Sequence, residues 1–285
     1  MTLVTVAAVI VVLLATAVSQ LPAAGAGAVL HPWRSGVQMP PPEGCQAASF
    51  AGRDVRLEGW TCAATVQPRR GTLVYLHGIA DNRTSGVNII RRFTALGFDV
   101  VAYDSRAHGD STGDPCTYGY FEKDDLRLVL DQLNASNVVL LGTSLGAAVA
   151  LQAGHDSRVR AIVSVEAFSD LRSVAAERAP VFFTRASIDA SLALAETQAQ
   201  FKVDQASPVA AAPFITAPVL VIHGEDDVET SPDHARRIFA ALTGPKRLIL
   251  VPGAGHNQSL GGEVWADIDR WIDKAVPPMR TRQNE

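Results

Sequence analysis

The stretch Val138-Val139-Leu140-Leu141-Gly142-Thr143-Ser144-Leu145-Gly146 decides the fold. Its four apolar residues predict a buried strand, and the apolar spacing from Leu145 to Ala153 predicts a helix that follows at once. A serine at this junction occupies a tight, strained turn, and the glycine two residues to either side removes a side chain that would collide across the turn. We therefore expect the hydroxyl of Ser144 to project from the edge of a sheet, where it can act as a nucleophile.

A histidine near the last predicted strand is the best candidate base for this serine. A serine hydroxyl is a weak nucleophile at neutral pH, so it needs a base within hydrogen-bond reach and a third group that orients the base. His256 lies in the glycine-rich segment 252–257, where an imidazole can reach over the end of the sheet. We assign His256 as the base and His108 as the second candidate, and we expect His77 and His223 to be turn residues.

The acid that orients the histidine is expected between the serine and the histidine in the chain. Three acidic residues, 225–227, follow a predicted strand that ends at residue 222. Asp227 is our choice because Gly224 clears the turn three residues earlier, so that the carboxylate can face the end of the sheet. Asp226 is the alternative.

Two backbone N–H groups are expected to stabilise the negative charge that develops on the substrate oxygen. The first is that of Leu145, at the start of the helix after the serine. The second is that of Ile79, which follows the predicted strand 72–76, and the adjacent Gly78 lets the backbone approach closely. This chemistry implies no metal ion and no organic cofactor, and we expect neither.

From Val55 onward, β-branched runs alternate with amphipathic stretches, which is typical of βαβ units and a mostly parallel sheet. The predicted strands are 55–63, 72–76, 99–103, 138–141, 161–165, 219–222 and 247–251. The predicted helices are 87–96, 122–133, 145–153, 233–242 and 263–275. The segment 167–217 has helical patterns only, and we expect it to cap the crevice at the carboxyl ends of the strands. The predicted fold is α/β, a domain of residues 55–285 with helices on both faces of the sheet and a small helical cap.

These motifs together resemble the α/β-hydrolase superfamily over about residues 55–275. The resemblance extends beyond the triad to Tyr75-Leu76-His77-Gly78, Asp104-x-Arg106-x-x-Gly109-x-Ser111 and Val221-Ile222-His223-Gly224-x-x-Asp227. These segments are similar to the oxyanion-loop, post-strand and acid-loop patterns of the esterases, lipases and S33-type peptidases that carry a single glycine after the histidine. The resemblance implies an α/β-hydrolase fold, a serine nucleophile and structural roles for Asp104 and Arg106.

The substrate is expected to be a small molecule with an apolar acyl group. The predicted cap has no cluster of charge that would indicate a phosphate or polar peptide site, and it is rich in apolar side chains: Phe168, Val181, Phe182, Phe183, Leu192, Leu194 and Phe201. Packing of the cap on the sheet would use the same residues. We expect a serine hydrolase that cleaves a carboxylic ester, with thioesters and amides as further possibilities. The alternative is a non-catalytic binding or signalling protein on the same scaffold.

The N-terminal segment 1–33 differs from the rest of the chain. It carries no carboxylate, Lys or Arg, and Leu3 to Val18 is almost wholly apolar. A run of about 17 residues lies at the lower limit for a bilayer span and slightly above a usual signal-peptide core. We expect a membrane anchor, with a removable export signal as the alternative and a buried core helix as a third. Residues 34–54, which include the proline-rich stretch Met39 to Pro42, are expected to form a linker.

Charge and cysteine content exclude several classes of function. The 285 residues have a net charge of −4 with scattered Lys and Arg, so the chain lacks the basic stripe that a nucleic-acid partner would need. Cys45, Cys62 and Cys116 show neither the spacing of a metal site nor a Cys-x-x-Cys pair. In an exported protein, Cys45 and Cys62 can form a disulfide, although three independent thiols fit the sequence equally well.

Overall fold

An eight-stranded sheet forms the centre of the molecule. The computed structural model describes residues 3–278, and of the side chains those of residues 16 and 18–278. The strands are β1 (Cys45–Ala51), β2 (Arg56–Cys62), β3 (Gly71–Leu76), β4 (Phe98–Tyr103), β5 (Val138–Thr143), β6 (Val159–Val165), β7 (Val219–Gly224) and β8 (Lys246–Val251). Their spatial order is β1-β2-β4-β3-β5-β6-β7-β8. The pairs β1–β2 and β2–β4 are antiparallel, and the remaining pairs are parallel.

Helices connect the strands and cover the sheet. Those of the described residues are α1 (Leu3–Leu30), α2 (Val87–Ala95), α3 (Glu122–Gln132), α4 (Leu145–Gln152), α5 (Leu171–Arg178), α6 (Arg185–Ala199), α7 (Pro208–Ala211), α8 (Asp233–Ala241) and α9 (Gly262–Ala275). Every strand and helix predicted from residue 55 onward is present, with bounds that differ by at most two residues. The predicted α/β fold with a mostly parallel sheet is therefore confirmed.

The central strands are buried on both faces because helices pack on both sides of the sheet. Every residue of β7 is buried, as are the first five residues of β5. Successive side chains of a strand point to opposite faces. Accordingly, Leu140 and Val221 belong to the larger of two hydrophobic clusters, while Leu141 and Ile222 belong to the other. The continuous apolar runs in the sequence thus reflect two separate cores.

The segment 34–54 is not the plain linker that we expected. Residues 45–51 form β1, which pairs antiparallel with β2 along its whole length. Cys45 lies opposite Cys62 in this register, and the two form a disulfide. Most residues of β1 are exposed or half-buried. This edge strand is therefore held in place by its pairing with β2 and by the disulfide, and not by burial of apolar side chains.

The segment 167–217 folds into helices and 3-10 turns without a strand, as expected for the cap. Helix α5 begins at a cap residue, Asp170, whose side chain accepts a hydrogen bond from the Ser173 N–H. Helix α6 is capped in the same way by Thr184. Such caps satisfy backbone donors that the first turn of a helix leaves free. Both helices are thus fixed at their starts, and they pack against each other.

The C-terminal part of α1 packs against α6 of the cap. Ala26 and Leu30 are fully buried there, and a side chain at Gly25 would overlap Ser191 of α6. Among the residues that the structure describes, no helix is long and apolar enough to cross a membrane. Most of the apolar run that suggested an anchor, residues 3–15, lies outside the described side chains, so the anchor remains a prediction.

Asp104 and Arg106 have structural roles in the loop after β4. Asp104 is fully buried and accepts hydrogen bonds from the N–H groups of Arg83 and Asp110, and it also pairs with the Arg83 guanidinium. Arg106 forms a two-fold contact with Asp125 of α3, at 2.7 and 2.9 Å. These buried pairs hold the loop to its neighbours, in line with the roles that the resemblance implied.

Candidate active site

Ser144 lies at the turn between β5 and α4, and its backbone is strained. Its φ of 48° and ψ of −111° lie outside the regions that a residue with a side chain usually adopts. The Ser144 N–H donates to the Val165 carbonyl of the neighbouring strand, at 2.8 Å. A methyl group on Gly142 would overlap the backbone of Gly146 across the turn, and one on Gly146 would overlap the backbone of Leu76 and His77 at the end of β3. Gly142 therefore allows the chain to turn this tightly under the serine, and Gly146 allows the start of α4 to lie against the end of β3.

The structure brings the three predicted residues together. His256 Nε2 lies 3.1 Å from Ser144 Oγ, and His256 Nδ1 lies 2.7 Å from Asp227 Oδ2. Asp227 is buried, whereas the alternative acid Asp226 is exposed. The hydrogen bond from Nδ1–H to the carboxylate leaves Nε2 as the acceptor for the serine proton. The chain thus has the geometry of a nucleophile, a base and an orienting acid.

The surroundings of Asp227 keep its carboxyl group ionised. Burial alone would raise the pKa of Asp227, but hydrogen bonds from His223, His256 and the Thr230 N–H outweigh burial and lower the pKa well below its usual range. His223 is fully buried, and its Nε2 lies 2.8 Å from the Thr230 carbonyl and 3.2 Å from Asp227 Oδ2. We expected His223 to be a turn residue only. It is also part of the support for the acid, a role that no local motif indicates.

Glu166 is a site residue that the sequence analysis missed. It follows β6, is buried, and has a left-handed backbone with a φ of 55°. Its carboxylate accepts hydrogen bonds from the Asn257 N–H at 2.5 Å and from the Ser259 N–H and Oγ at 3.1 and 2.5 Å. Because these donors belong to the loop that carries His256, Glu166 holds that loop against the sheet.

The two expected oxyanion donors border the serine. Leu145 is the first residue of α4, where a backbone N–H has no acceptor within the helix. Gly78 approaches the serine closely, since a side chain at that position would lie 3.6 Å from Ser144 Cβ. Ile79 and Leu145 both line the cavity that opens beside Ser144. The arrangement is compatible with the predicted oxyanion hole.

His108, the second candidate base, is buried away from the serine. Its Nδ1 lies 2.8 Å from the Arg106 carbonyl, and its ring packs edge-on against His77. Burial and the nearby His77 lower the pKa of His108 to about 4. His77 is also buried, between the Gly78 carbonyl and the Ser105 N–H. Both histidines are structural, and the assignment of His108 as an alternative base is wrong.

An apolar cavity of about 460 Å³ opens beside Ser144. The sheet side contributes Ile79 and Leu145, the cap contributes Phe168, Leu171 and Phe183, and α1 contributes Val29. Arg178, at the end of α5, is the one charged residue among the described residues that line the cavity. The contribution of α1 was not expected from the sequence, which assigned residues 1–33 to a segment outside the hydrolase domain.

Three ionisable side chains of the site could in principle bind a cation together. Ligand atoms of Glu166, Asp227 and His256 lie within 4.8 Å of one another. Each of these groups already has hydrogen-bond partners in this site, which a metal ion would have to displace. The geometry is fully accounted for by the contacts of a serine–histidine–acid site.

Comparison with known proteins agrees with this fold. A family model described as alpha/beta hydrolase fold matches residues 71–204. An esterase from Pyrococcus furiosus has a similar structure, with a TM-score of 0.71 and 19% sequence identity over 87% of this chain and 98% of the esterase. This chain therefore has the α/β-hydrolase fold, and the family model matches just under half of its residues.

Proteins with similar sequences occur in several bacteria. The uncharacterized protein YqkD of Bacillus subtilis is 30% identical over 203 residues, which are 66% of this chain and 65% of YqkD. The uncharacterized protein YfhR of Escherichia coli K12 is 25% identical over 231 residues, or 76% of this chain and 75% of YfhR. The chain thus spans just under two thirds of the first of these relatives. The comparisons thus support the α/β-hydrolase fold.

Proposed function

We propose that this protein hydrolyses carboxylic esters with apolar acyl groups through an acyl-serine intermediate. The observation that carries the proposal is the 3.1 Å contact of Ser144 Oγ with His256 Nε2 at the edge of an apolar cavity. A serine bound to a histidine that is in turn bound to a buried carboxylate has little structural use at a cavity wall. It has the composition and order of an acyl-transfer site.

In the first step, Ser144 attacks the carbonyl carbon of the ester. The Oγ proton passes to His256 Nε2 as the bond from Oγ to carbon forms, and Asp227 stabilises the imidazolium through Nδ1–H. The carbonyl oxygen becomes an oxyanion that the N–H groups of Ile79 and Leu145 stabilise. Removal of one such donor typically raises the barrier by about 2.7 to 4 kcal/mol.

In the second step, the tetrahedral intermediate collapses and releases the alcohol. His256 Nε2 returns its proton to the leaving oxygen as the carbon–oxygen bond breaks, which leaves an acyl group on Ser144. A water molecule then attacks the acyl carbon while Nε2 accepts its proton, and that proton finally restores the hydroxyl of Ser144. The acid product leaves and the site returns to its starting state.

The cavity supports an apolar acyl group as the part of the substrate that is bound. Its lining combines aliphatic and aromatic side chains from α1, the cap and the sheet, including Val29, Leu171 and Phe183. Burial of each methylene group contributes about 0.8 kcal/mol, so chain length should affect affinity strongly until the cavity is full. We propose esters as the main substrates, with thioesters and amides cleaved through the same acyl-serine.

The test is active-site labelling with a fluorophosphonate probe, followed by hydrolysis of a series of p-nitrophenyl esters from acetate to dodecanoate. We expect an adduct on Ser144 and a chain-length optimum in the ester series. Ser144→Ala should abolish both signals. Ser49→Ala, on the exposed edge strand β1, is the matched control and should retain both. A folded protein that neither labels nor turns over any ester above the Ser144→Ala background would favour the non-catalytic alternative.

A further inference from the structure

Arg178 lies on the side of the active site where the leaving group must depart. One of its terminal nitrogens, Nη2, is 3.4 Å from His256 Nε2, the atom that faces Ser144 Oγ. In the proposed mechanism this Nε2 delivers a proton to the leaving oxygen. A group attached to that oxygen would therefore lie next to the Arg178 guanidinium, while the acyl chain occupies the apolar cavity.

The guanidinium is held in place without an anionic partner. Arg178 Nε donates to the Glu229 carbonyl at 3.0 Å, and Nη2 donates to Thr230 Oγ1 at 2.7 Å. Among the described residues, no carboxylate lies within ion-pair distance of Arg178. By contrast, Arg172 on the same helix pairs with both Asp189 and Asp204. Arg178 thus presents a positioned and unneutralised positive charge at the mouth of a cavity that has no other charge among its described residues.

We propose that Arg178 binds an oxyanion, a carboxylate or a phosphate, carried by the alcohol part of the substrate. The inference rests on the proposed function and adds to it a substrate class: esters that join an apolar acyl chain to a negatively charged alcohol. A planar guanidinium has N–H groups beyond those that bind Glu229 and Thr230, and it suits such an anion because arginine binds carboxylates and phosphates through paired hydrogen bonds.

The same contact gives the anion a role in the rate. During attack, His256 becomes an imidazolium only 3.4 Å from the Arg178 guanidinium, and the two positive charges repel. A neutral ester leaves this repulsion in place, whereas an anion bound to Arg178 offsets it. Removal of the Arg178 charge should therefore slow the hydrolysis of anionic esters and leave that of neutral esters unchanged or slightly faster.

A matched pair of esters tests this expectation. The anionic member is 4-carboxyphenyl octanoate and the neutral member is 4-carbamoylphenyl octanoate, which has the same acyl chain and a similar shape. We expect the wild-type protein to prefer the anionic ester in kcat/KM. Arg178→Gln should lower kcat/KM for that ester by about tenfold or more, as loss of a hydrogen bond to a charged group implies. Arg178→Lys should keep part of the preference for the anionic ester, because lysine retains the positive charge.

Arg172→Gln is the control because it removes an exposed guanidinium from the same helix. It should leave kcat/KM for both esters unchanged. If Arg178 only holds the cap against the loop that carries Asp227, then Arg178→Gln will slow the hydrolysis of both esters equally. That result would refute the oxyanion site and leave the proposed esterase function intact. If the wild-type protein hydrolyses neither ester above the Ser144→Ala background, the proposed function and this inference both fail. Thermal unfolding of each variant verifies that it is folded.

Discussion

Glu166 Oε2 lies 3.8 Å from His256 Nδ1, so the imidazole faces two carboxylates, of which only that of Asp227 is at hydrogen-bond distance. Glu166 instead accepts hydrogen bonds from the loop beyond the histidine. One carboxylate thus orients the ring and the other fixes the loop that carries it. The two tasks can be separated by substitution.

Glu166→Gln should destabilise the protein and reduce its turnover. Both carboxylate oxygens of Glu166 accept N–H groups, so an amide would place its own NH2 against the N–H of either Asn257 or Ser259. A buried mismatch of this kind costs about 1–3 kcal/mol in the free energy of unfolding. We expect a lower midpoint in urea and a fall in kcat with little change in KM. Glu225→Gln, in the exposed part of the acid loop, should match the wild type in both measurements.

Asp227→Asn should lower kcat by up to about 10⁴-fold, because an amide reverses the hydrogen bond that sets the histidine tautomer. Its neighbour provides the matched control, since Asp226 is exposed and its side chain makes no hydrogen bond among the described residues. Asp226→Asn should retain wild-type kcat/KM for p-nitrophenyl octanoate. Equal losses in the two variants would contradict the assignment of Asp227 as the orienting acid.

Buried His108 should make the fold less stable in mild acid. Its pKa is lowered from an ordinary 6.5 to about 4, so between these pH values the unfolded chain binds a proton that the folded protein does not. Stability therefore rises with pH in this window, and the contribution is lost as the pH falls through it, by up to about 3 kcal/mol.

The variant His108→Asn isolates this effect, because the asparagine amide can still donate to the Arg106 carbonyl but does not titrate. Its free energy of unfolding in urea should fall less steeply than that of the wild type between pH 6.5 and pH 4. If the free energy of unfolding depends on pH identically in the two proteins, His108 is not the source of the loss of stability in acid.

The disulfide between Cys45 and Cys62 should contribute to stability but not to catalysis. It closes a loop with a sequence separation of 17 and lies at the sheet edge that is remote from Ser144. A cross-link over a loop of this length typically contributes about 3 kcal/mol. We expect dithiothreitol to lower Tm while kcat/KM at 25 °C stays constant, and the double variant Cys45→Ala/Cys62→Ala should show the lower Tm with no further response to the reductant.

Much of the site could be predicted because its signals are local. The turn at Ser144 requires glycines at fixed offsets, and Asp227 and His256 lie in the loops that follow β7 and β8, where parallel strands bring their carboxyl ends to one edge. The choice between Asp226 and Asp227 depended on which side chain turns inward, and the structure buries Asp227.

The features that were missed depend on contacts between distant parts of the chain. Glu166 contacts residues 91 and 93 positions away, and nothing in its immediate sequence marks it as a support for the histidine loop. Strand β1 lacks β-branched residues, so its extended form becomes evident only through its pairing with β2. Likewise, the apolar character of α1 could not reveal that its last turns line the cavity beside Ser144.

Most residues that line this cavity come from two segments outside the sheet, α1 and the cap, whereas the serine, acid and histidine come from loops of the sheet itself. Reactivity and selectivity therefore reside in different stretches of the chain, which are free to diverge at different rates. Relatives with the same triad can accept different acyl chains after changes confined to these two walls. A substrate found for one of them is informative about this protein only to the degree that the residues of α1 and the cap correspond.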